Sequence, residues 1–294
     1  HLFTPVAGRQ AALADFADFL GEQARDAEPG SDRQLSLVRS FVSLARTDEQ
    51  LSLVSTALDG SDPFKGLTVD ADLRWALLHR LVAMGRADDE AIEAELERDR
   101  TASGERQAAA TRAALPTLEA KESAWRAVVD SDDLPNALLN ATVAGFNNPD
   151  HRELNRAFVD RYFGMIEEVW RTRTNESAQT LVNGLFPAFL VEQETIDRTE
   201  AHLAAHDTPP ALRRLLLEGA EGHCNIEGIA CPLATIRRRA TQHQNRTRHR
   251  AHPPKLNTRS ERMHASTSCP MPEISNPGRR FDPANPWREA SFSS

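Results

Sequence analysis

The stretch SDRQLSLVRSFVSLARTDEQLSLVSTALDG, residues 31–60, decides the fold class of this chain. It contains two helix beginnings of the same kind, one at Ser31 with Gln34 and one at Thr47 with Gln50. In each, the hydroxyl and the glutamine side chain can satisfy early backbone N–H groups. Apolar residues then recur every three or four positions, and a glycine ends the stretch where helices typically stop. The stretch therefore predicts two consecutive amphipathic helices joined by a short capped turn.

A wide apolar face on these helices indicates that each packs against more than one neighbour. The first helix carries one stripe of Leu35, Val38, Val42 and Ala45 and a second of Leu37, Phe41 and Leu44. Residues 73–84 repeat this arrangement, with Trp75 on the second stripe. A face of that width suits a helix with neighbours on two sides, so we expect Trp75 to be buried between adjacent helices.

The same periodicity continues along most of the chain. It predicts further helices at residues 91–96, 107–115, 117–129, 133–146, 151–171, 175–185, 193–206 and 210–218. No segment shows the alternation of a strand over a convincing length. The sequence therefore predicts an all-α fold, a superhelical array of antiparallel helix pairs of the HEAT or armadillo α-solenoid kind. A closed helical bundle is the alternative.

The composition changes near Gly222, which divides the chain into two predicted parts. Residues 223–294 contain 12 basic and 5 acidic residues, whereas the first 222 residues carry a net charge of −15. We predict a helical domain over residues 1–221 and a disordered basic tail, rich in Pro, Arg, Ser and His, over 222–294. Because phosphate binding needs a basic surface, the acidic body disfavours nucleic acid as its partner.

Three interpretations of the predicted tail remain open. An out-of-frame translation product explains the abrupt loss of periodicity, and we favour it. A functional basic tail that binds nucleic acid or acidic surfaces is the second. The third is a metal site formed by His223, Cys224 and Cys231, although their spacing matches no standard zinc pattern.

The body carries no sign of export or membrane insertion. All three cysteines lie after Gly222, so the body can form no disulfide of its own. No apolar run approaches the ~20 residues that cross a bilayer, and residues 1–5 do not resemble a signal peptide. We therefore expect a cytoplasmic protein with no membrane partner. The chain begins without methionine, which we interpret as a start inside a longer protein, with a processed mature terminus as the alternative.

The residues of the body suggest no catalytic constellation. Metalloprotease, phosphate-loop and nucleophile-elbow motifs are absent from the sequence. We expect His79 to be a hydrogen-bonded core or groove residue, His151 to be exposed, and His202 with His206 to be a solvated pair. Their spacing of four could hold a metal, but no third ligand is evident.

Acidic residues in the body are interpreted as solvated helix faces. They are Glu90, Glu93, Glu95, Glu97, Glu167 and Glu168. We consequently predict no catalytic, no cofactor-binding and no metal residue in this chain. From the residues alone, the function predicted is that of an acidic helical scaffold.

Several long stretches resemble the C-terminal helical domain of aminopeptidase N, in the gluzincin family of zinc aminopeptidases and in its actinobacterial form. The stretches are AEPGSDRQL (27–35), ARTDEQL (45–51), LRWALLHRL (73–81), AKESAW (120–125), LPNA (134–137), REL (152–154) and ALRRL (211–215). The resemblance covers about residues 5–219. It implies a concave helical bowl that caps an active site and limits which peptides enter.

The resemblance also implies where the chemistry of such enzymes lies. In the family an H-E-x-x-H helix with a downstream glutamate binds zinc, and a G-x-M-E-N segment holds the amino terminus of the substrate. Residues 164–168, GMIEE, match that segment only faintly, because they lack its Asn and lie in the wrong domain. Zinc is thus expected in a missing catalytic domain. The expected partners are that N-terminal domain and peptide substrates. A free-standing α-solenoid adaptor for protein–protein interaction is the alternative function.

Overall fold

The computed structural model describes residues 8–188, 190 and 193–227. Over these residues the chain forms thirteen α-helices and no strand, which confirms the all-α prediction. The helices are α1 (Arg9–Asp26), α2 (Asp32–Leu44), α3 (Asp48–Leu58), α4 (Ala71–Ala83), α5 (Asp89–Arg98), α6 (Ala102–Ala113), α7 (Leu118–Trp125), α8 (Asn136–Phe146), α9 (Arg152–Arg156), α10 (Val159–Thr172), α11 (Asn175–Gly184), α12 (Gln193–Ala205) and α13 (Pro210–Glu227). A π-helical turn follows α7, and a 3-10 turn at Pro149–His151 precedes α9. No helix in this part of the chain is long and apolar enough to cross a membrane.

The helices contact one another in the order of the chain. Consecutive helices pair, α1 with α2, α3 with α4, α5 with α6 and α12 with α13. The helices α2, α4, α6, α8, α11 and α13, here called the B row, each contact the next member of the series. Such an order of neighbours is expected of helix pairs stacked in sequence. The superhelical form of an α-solenoid stays a prediction.

The predicted side-chain caps at the start of α2 and α3 are both present, but the full capping box forms at Thr47 and not at Ser31, because Gln34 Oε1 accepts from the backbone N–H of Gly30. Ser31 and Thr47 each accept a hydrogen bond from the backbone N–H of the glutamine three residues later, at 3.1 and 3.2 Å. The glutamine side chains are buried, and their Nε2 atoms also donate to carbonyl oxygens of α1, Gln34 at 3.3 Å and Gln50 at 2.9 Å. The residues that begin two helices therefore also attach a third.

Helix α1 was not among the predicted helices. Its buried residues Leu13, Ala17, Leu20 and Ala24 follow helical spacing, so the signal was present. The opposite face, however, carries Phe16 and Phe19, whose exposed fractions are 52% and 51%. Two exposed aromatic residues weaken the contrast between an apolar and a polar face on which such a prediction depends.

The single helix predicted over residues 151–171 is divided into α9 and α10. The division lies at residues 157–158, where Phe158 is buried. The ring of Phe158 packs 5.3 Å from that of Trp125 and 5.1 Å from that of Phe146, measured between centroids. The turn brings this side chain into the core.

Helix α13 is longer than predicted, because it runs to Glu227 and not to residue 218. It thus continues past the composition change at Gly222. Residues 228–294 lie outside the described part of the chain, as do the side chains of His223 and Cys224. Whether the tail is disordered, out of frame, basic and functional, or metal-binding stays a matter of prediction.

Two glycines allow α8 to lie close to both neighbours in the B row. A Cβ atom on Gly145 would lie 1.9 Å from the carbonyl oxygen of Ala110 on α6. On the other side, a Cβ on Gly184 of α11 would lie 2.3 Å from Cγ1 of Val143. Real Cβ atoms do not approach so closely, so these residues fix the spacing of α6, α8 and α11.

Candidate functional site

His79 is half-buried and hydrogen-bonded, in agreement with its prediction as a core or groove residue. Its Nδ1 lies 3.3 Å from Oγ1 of Thr111, and that hydroxyl donates to the carbonyl oxygen of Gln107 at 2.7 Å. The imidazole therefore donates through Nδ1. Burial lowers the pKa of His79 to about 4, so the ring is neutral at physiological pH and holds α4 against α6.

The prediction that His151 is exposed was wrong. Its exposed fraction is 5%, and its Nε2 donates to the carbonyl oxygen of Ala83 at 2.8 Å. Ala83 is the last residue of α4, where carbonyl oxygens have no partner within the helix. His151 satisfies one of them from the turn before α9.

The prediction of a solvated pair at His202 and His206 was wrong for His202, whereas His206 is exposed as predicted. His202 is buried, and its Nε2 lies 3.2 Å from Oε1 of Glu167, which also accepts from the hydroxyl of Thr208 at 3.2 Å. Glu167 is thus not a free surface carboxylate. His206 stacks on His202, but its Nδ1 faces the backbone oxygen of His202. Within the described residues, no three His, Cys, Asp or Glu side chains are arranged to hold a metal.

The prediction that Glu95 is solvated was also wrong. It is buried, and both of its oxygens accept from Arg74, at 2.8 and 2.7 Å. This bidentate pair joins α4 to α5. Its neighbours Glu90, Glu93 and Glu97 are exposed, as the sequence predicts.

A buried ionic cluster joins segments that are far apart in sequence. Asp150 accepts from Nη1 of Arg80 at 2.6 Å and from Nη1 of Arg46 at 3.4 Å, and each of the three side chains is at most 10% exposed. Arg80 also donates through Nε to the carbonyl oxygen of Ala45 at 2.6 Å. Burial lowers the pKa of Arg46, and the Asp150 carboxylate opposes that change. Arg46, Arg80 and Asp150 are called the Asp150 cluster below.

Lys121 is fully buried and binds the ends of two B-row helices. Its Nζ donates to the carbonyl oxygens of Ala113, Phe146 and Gly145, at 2.7, 2.9 and 3.4 Å. These residues lie at the C-termini of α6 and α8, where the helix dipole favours a cation. Lys121 therefore holds the two helix ends together.

We expect Lys121→Met to lower the free energy of unfolding by about 1–3 kcal/mol, because buried carbonyl oxygens lose a donor. Urea unfolding of the wild type and the variant measures the loss. Lys65→Met, which replaces an exposed lysine, is the matched control and should change little.

The stability of the wild type and that of Lys121→Met should also depend differently on pH. Burial lowers the pKa of Lys121 to about 7, against about 10.4 in an unfolded chain, although the three carbonyl oxygens favour the ammonium form. Between these values the unfolded state binds more protons, so the wild type should gain stability as pH rises. Parallel curves for both proteins from neutral pH upward would contradict this role of Lys121.

An open groove lies between α8 and α11 on the B row. Its volume is about 610 Å³, and it is lined by Asn140, Val143, Ala144, Asn147, Glu176, Gln179, Thr180, Asn183 and Gly184. It is called the α8–α11 groove below. Periodicity did not predict it, since its polar residues, uncharged apart from Glu176, belong to two separate helices.

Three hydrogen bonds fix the two helices that border the groove. They run from Ser177 Oγ to Asn136 Oδ1 at 3.1 Å, from Thr180 Oγ1 to Asn140 Oδ1 at 2.8 Å, and from Asn147 Nδ2 to the carbonyl oxygen of Gly184 at 2.9 Å. Because both partners advance along the chain together, α8 and α11 run parallel. The groove thus has amide groups at both ends.

Comparison with known proteins gives two matches. A family model described as the ERAP1-like C-terminal domain matches residues 4–223. Aminopeptidase N of Streptomyces lividans is 49% identical over 214 residues, which are 73% of this chain and 25% of that protein. The chain thus spans about a quarter of the length of this relative.

Proposed function

Since this chain belongs to the family of ERAP1-like C-terminal domains, we propose that it serves a zinc-dependent aminopeptidase that removes N-terminal residues from peptides. In this proposal the domain covers the active site of a catalytic domain and governs which peptides reach it, with no catalysis of its own. The resemblance of residues 5–219 to the C-terminal domain of aminopeptidase N is confirmed by both matches.

The observation that carries the proposal is the 49% identity to an aminopeptidase N over nearly the whole helical region. The structure adds a chemical reason to place catalysis elsewhere. Three residues of catalytic type are already engaged: Glu95 binds an arginine, Glu167 binds a histidine, and His151 binds a backbone oxygen. Peptide hydrolysis needs an activated water and an oriented substrate, which such saturated contacts do not supply.

Zinc belongs, in this proposal, to the catalytic domain of the parent protein. His202, His206 and Glu167 do not fit a zinc site, because His206 Nδ1 faces a backbone oxygen while Glu167 binds His202 and Thr208. The partners proposed are the catalytic domain and peptide substrates. A cytoplasmic location is proposed on the sequence evidence alone.

The proposal predicts that the chain is inactive by itself and supports activity only when it is joined to a catalytic domain. The purified chain should not hydrolyse aminoacyl anilides or peptides, with or without zinc. Residues 4–223, exchanged for the matching region of the Streptomyces lividans relative, should give an active enzyme. Removal of that region should change the ratio of kcat/KM for long and short peptides.

Two results would contradict the proposal. Zinc-dependent turnover by the chain itself, in a sample free of host peptidases, would show that it carries a site of its own. An unchanged preference for peptide length after removal of the domain would show that it does not govern access. In that case the free-standing adaptor becomes the better interpretation.

A further inference from the structure

We propose that the α8–α11 groove binds an extended peptide segment through its backbone. This inference rests on the proposed function, because it names the surface by which the domain would contact peptides. The rim of the groove consists of exposed or half-buried amides, those of Asn140, Asn147, Gln179 and Asn183. A carboxamide offers both a donor and an acceptor without charge, which matches the alternating N–H and C=O groups of a peptide backbone.

The hydrogen bonds between the two helices orient two of these amides. Oδ1 of Asn140 accepts from the hydroxyl of Thr180, so its Nδ2 is the atom directed away from that bond. In Asn147 the roles are reversed. Its Nδ2 donates to the carbonyl oxygen of Gly184, so its Oδ1 is the atom that can accept from a ligand. The groove therefore presents a donor towards one end and an acceptor towards the other.

The spacing of these amides fits a short extended segment. Asn140 and Asn147 are separated by two turns of α8, about 10.5 Å along the helix axis. An extended chain rises about 3.3 Å per residue, so about three residues span that distance. Between the two amides the lining consists of small apolar residues, Val143, Ala144 and Gly184.

The charge of the groove favours the backbone of a peptide over its carboxyl terminus. Glu176 is the one charged residue in the lining, and its carboxylate would repel a terminal carboxylate. Elsewhere on the B row the exposed residues include charged ones, such as Arg214 and Glu218 on α13. The uncharged amides of α8 and α11 are thus distinctive within that row.

The test uses the full chain and an uncharged decapeptide of Ala, Ser, Leu and Gly. The peptide is acetylated and amidated, carries a neutral fluorophore, and is followed by fluorescence anisotropy. Asn140→Asp keeps the acceptor for Thr180 but replaces the donor with a carboxylate. We expect it to weaken binding about tenfold. Asn136→Asp makes the same change one turn away, at a residue that bonds Ser177 but does not line the groove, and should leave binding unchanged.

A second peptide separates backbone recognition from simple burial of side chains. Methylation of alternate backbone nitrogens removes N–H donors and should abolish binding to the wild type. The proposal is overturned if the blocked peptide does not bind at millimolar concentration, if both asparagine variants behave alike, or if the methylated peptide binds equally well. It is also overturned if a free C-terminal carboxylate is required. None of these outcomes affects the length preference of the domain-exchange enzyme, so failure of the groove is distinguishable from failure of the proposed function.

Discussion

Asp150→Ala is expected to lower the free energy of unfolding by about 3–5 kcal/mol, as is typical when one partner of a buried ion pair is removed. Arg80 and Arg46 would be left without their shared carboxylate, and their side chains are only 7% and 6% exposed. The loss arises from two uncompensated charges in a place that water reaches poorly. Equilibrium urea unfolding, followed by far-UV circular dichroism, measures it.

The matched control is Asp160→Ala, which removes an aspartate that pairs with Arg198 at the surface. The Asp160 side chain is 74% exposed, so the expected loss is below about 1 kcal/mol. Asp150→Asn should fall between the two, since the amide keeps one acceptor oxygen but no charge. If Asp150→Ala costs no more than the control, the Asp150 cluster does not hold these segments together.

Local features of the fold were predictable because their causes lie within one or two turns of helix. The caps at Ser31 and Thr47 depend on residues three positions away, and apolar stripes follow from the helical period alone. The additional bonds from Gln34 and Gln50 to α1 were not predictable, because they depend on how separate helices pack. Helix α1 itself was missed because exposed phenylalanines blur its two faces.

The buried polar contacts were beyond sequence reasoning for the same physical reason. Asp150 meets Arg80 across 70 positions of sequence, and no period connects them. His151 and Glu95 read as ordinary surface residues until a partner from another helix is placed beside them. The burial of Lys121 could have been predicted from its position. It lies four residues before the buried Trp125 and therefore shares its helix face. A lone charge on an apolar face indicates a buried partner.

Several polar side chains of this chain are buried because they bind the ends of helices. Stacked helices expose many carbonyl and N–H groups at their ends, and each end needs a partner. His151 and Lys121 supply donors to the ends of α4, α6 and α8. Residues of catalytic type, such as His151 and Lys121, are thus used to join helices. The family resemblance supplied what periodicity could not, namely the family to which the chain belongs.

Trp75→Ala is expected to cost about 3–5 kcal/mol of unfolding free energy, the range for truncation of a large aromatic residue in a core. The sequence predicted burial of Trp75, and its exposed fraction is 1%. It packs with Leu78, Val82, Ile92 and Ala108 between α4, α5 and α6. Its Nε1 also donates to Oδ2 of Asp99 at 2.9 Å, so the indole is both packed and oriented.

Two variants separate packing of the Trp75 ring from its hydrogen bond. Trp75→Phe keeps most of the apolar volume and loses the N–H, so it should cost much less than Trp75→Ala if packing dominates. Phe16→Ala removes an aromatic ring that is 52% exposed and should cost below about 1 kcal/mol. Urea unfolding of the three variants decides the matter. A loss below about 1 kcal/mol for Trp75→Ala would contradict the core role of Trp75. If Trp75→Phe loses as much stability as Trp75→Ala, the loss is due to the missing hydrogen bond to Asp99 and not to packing of the ring.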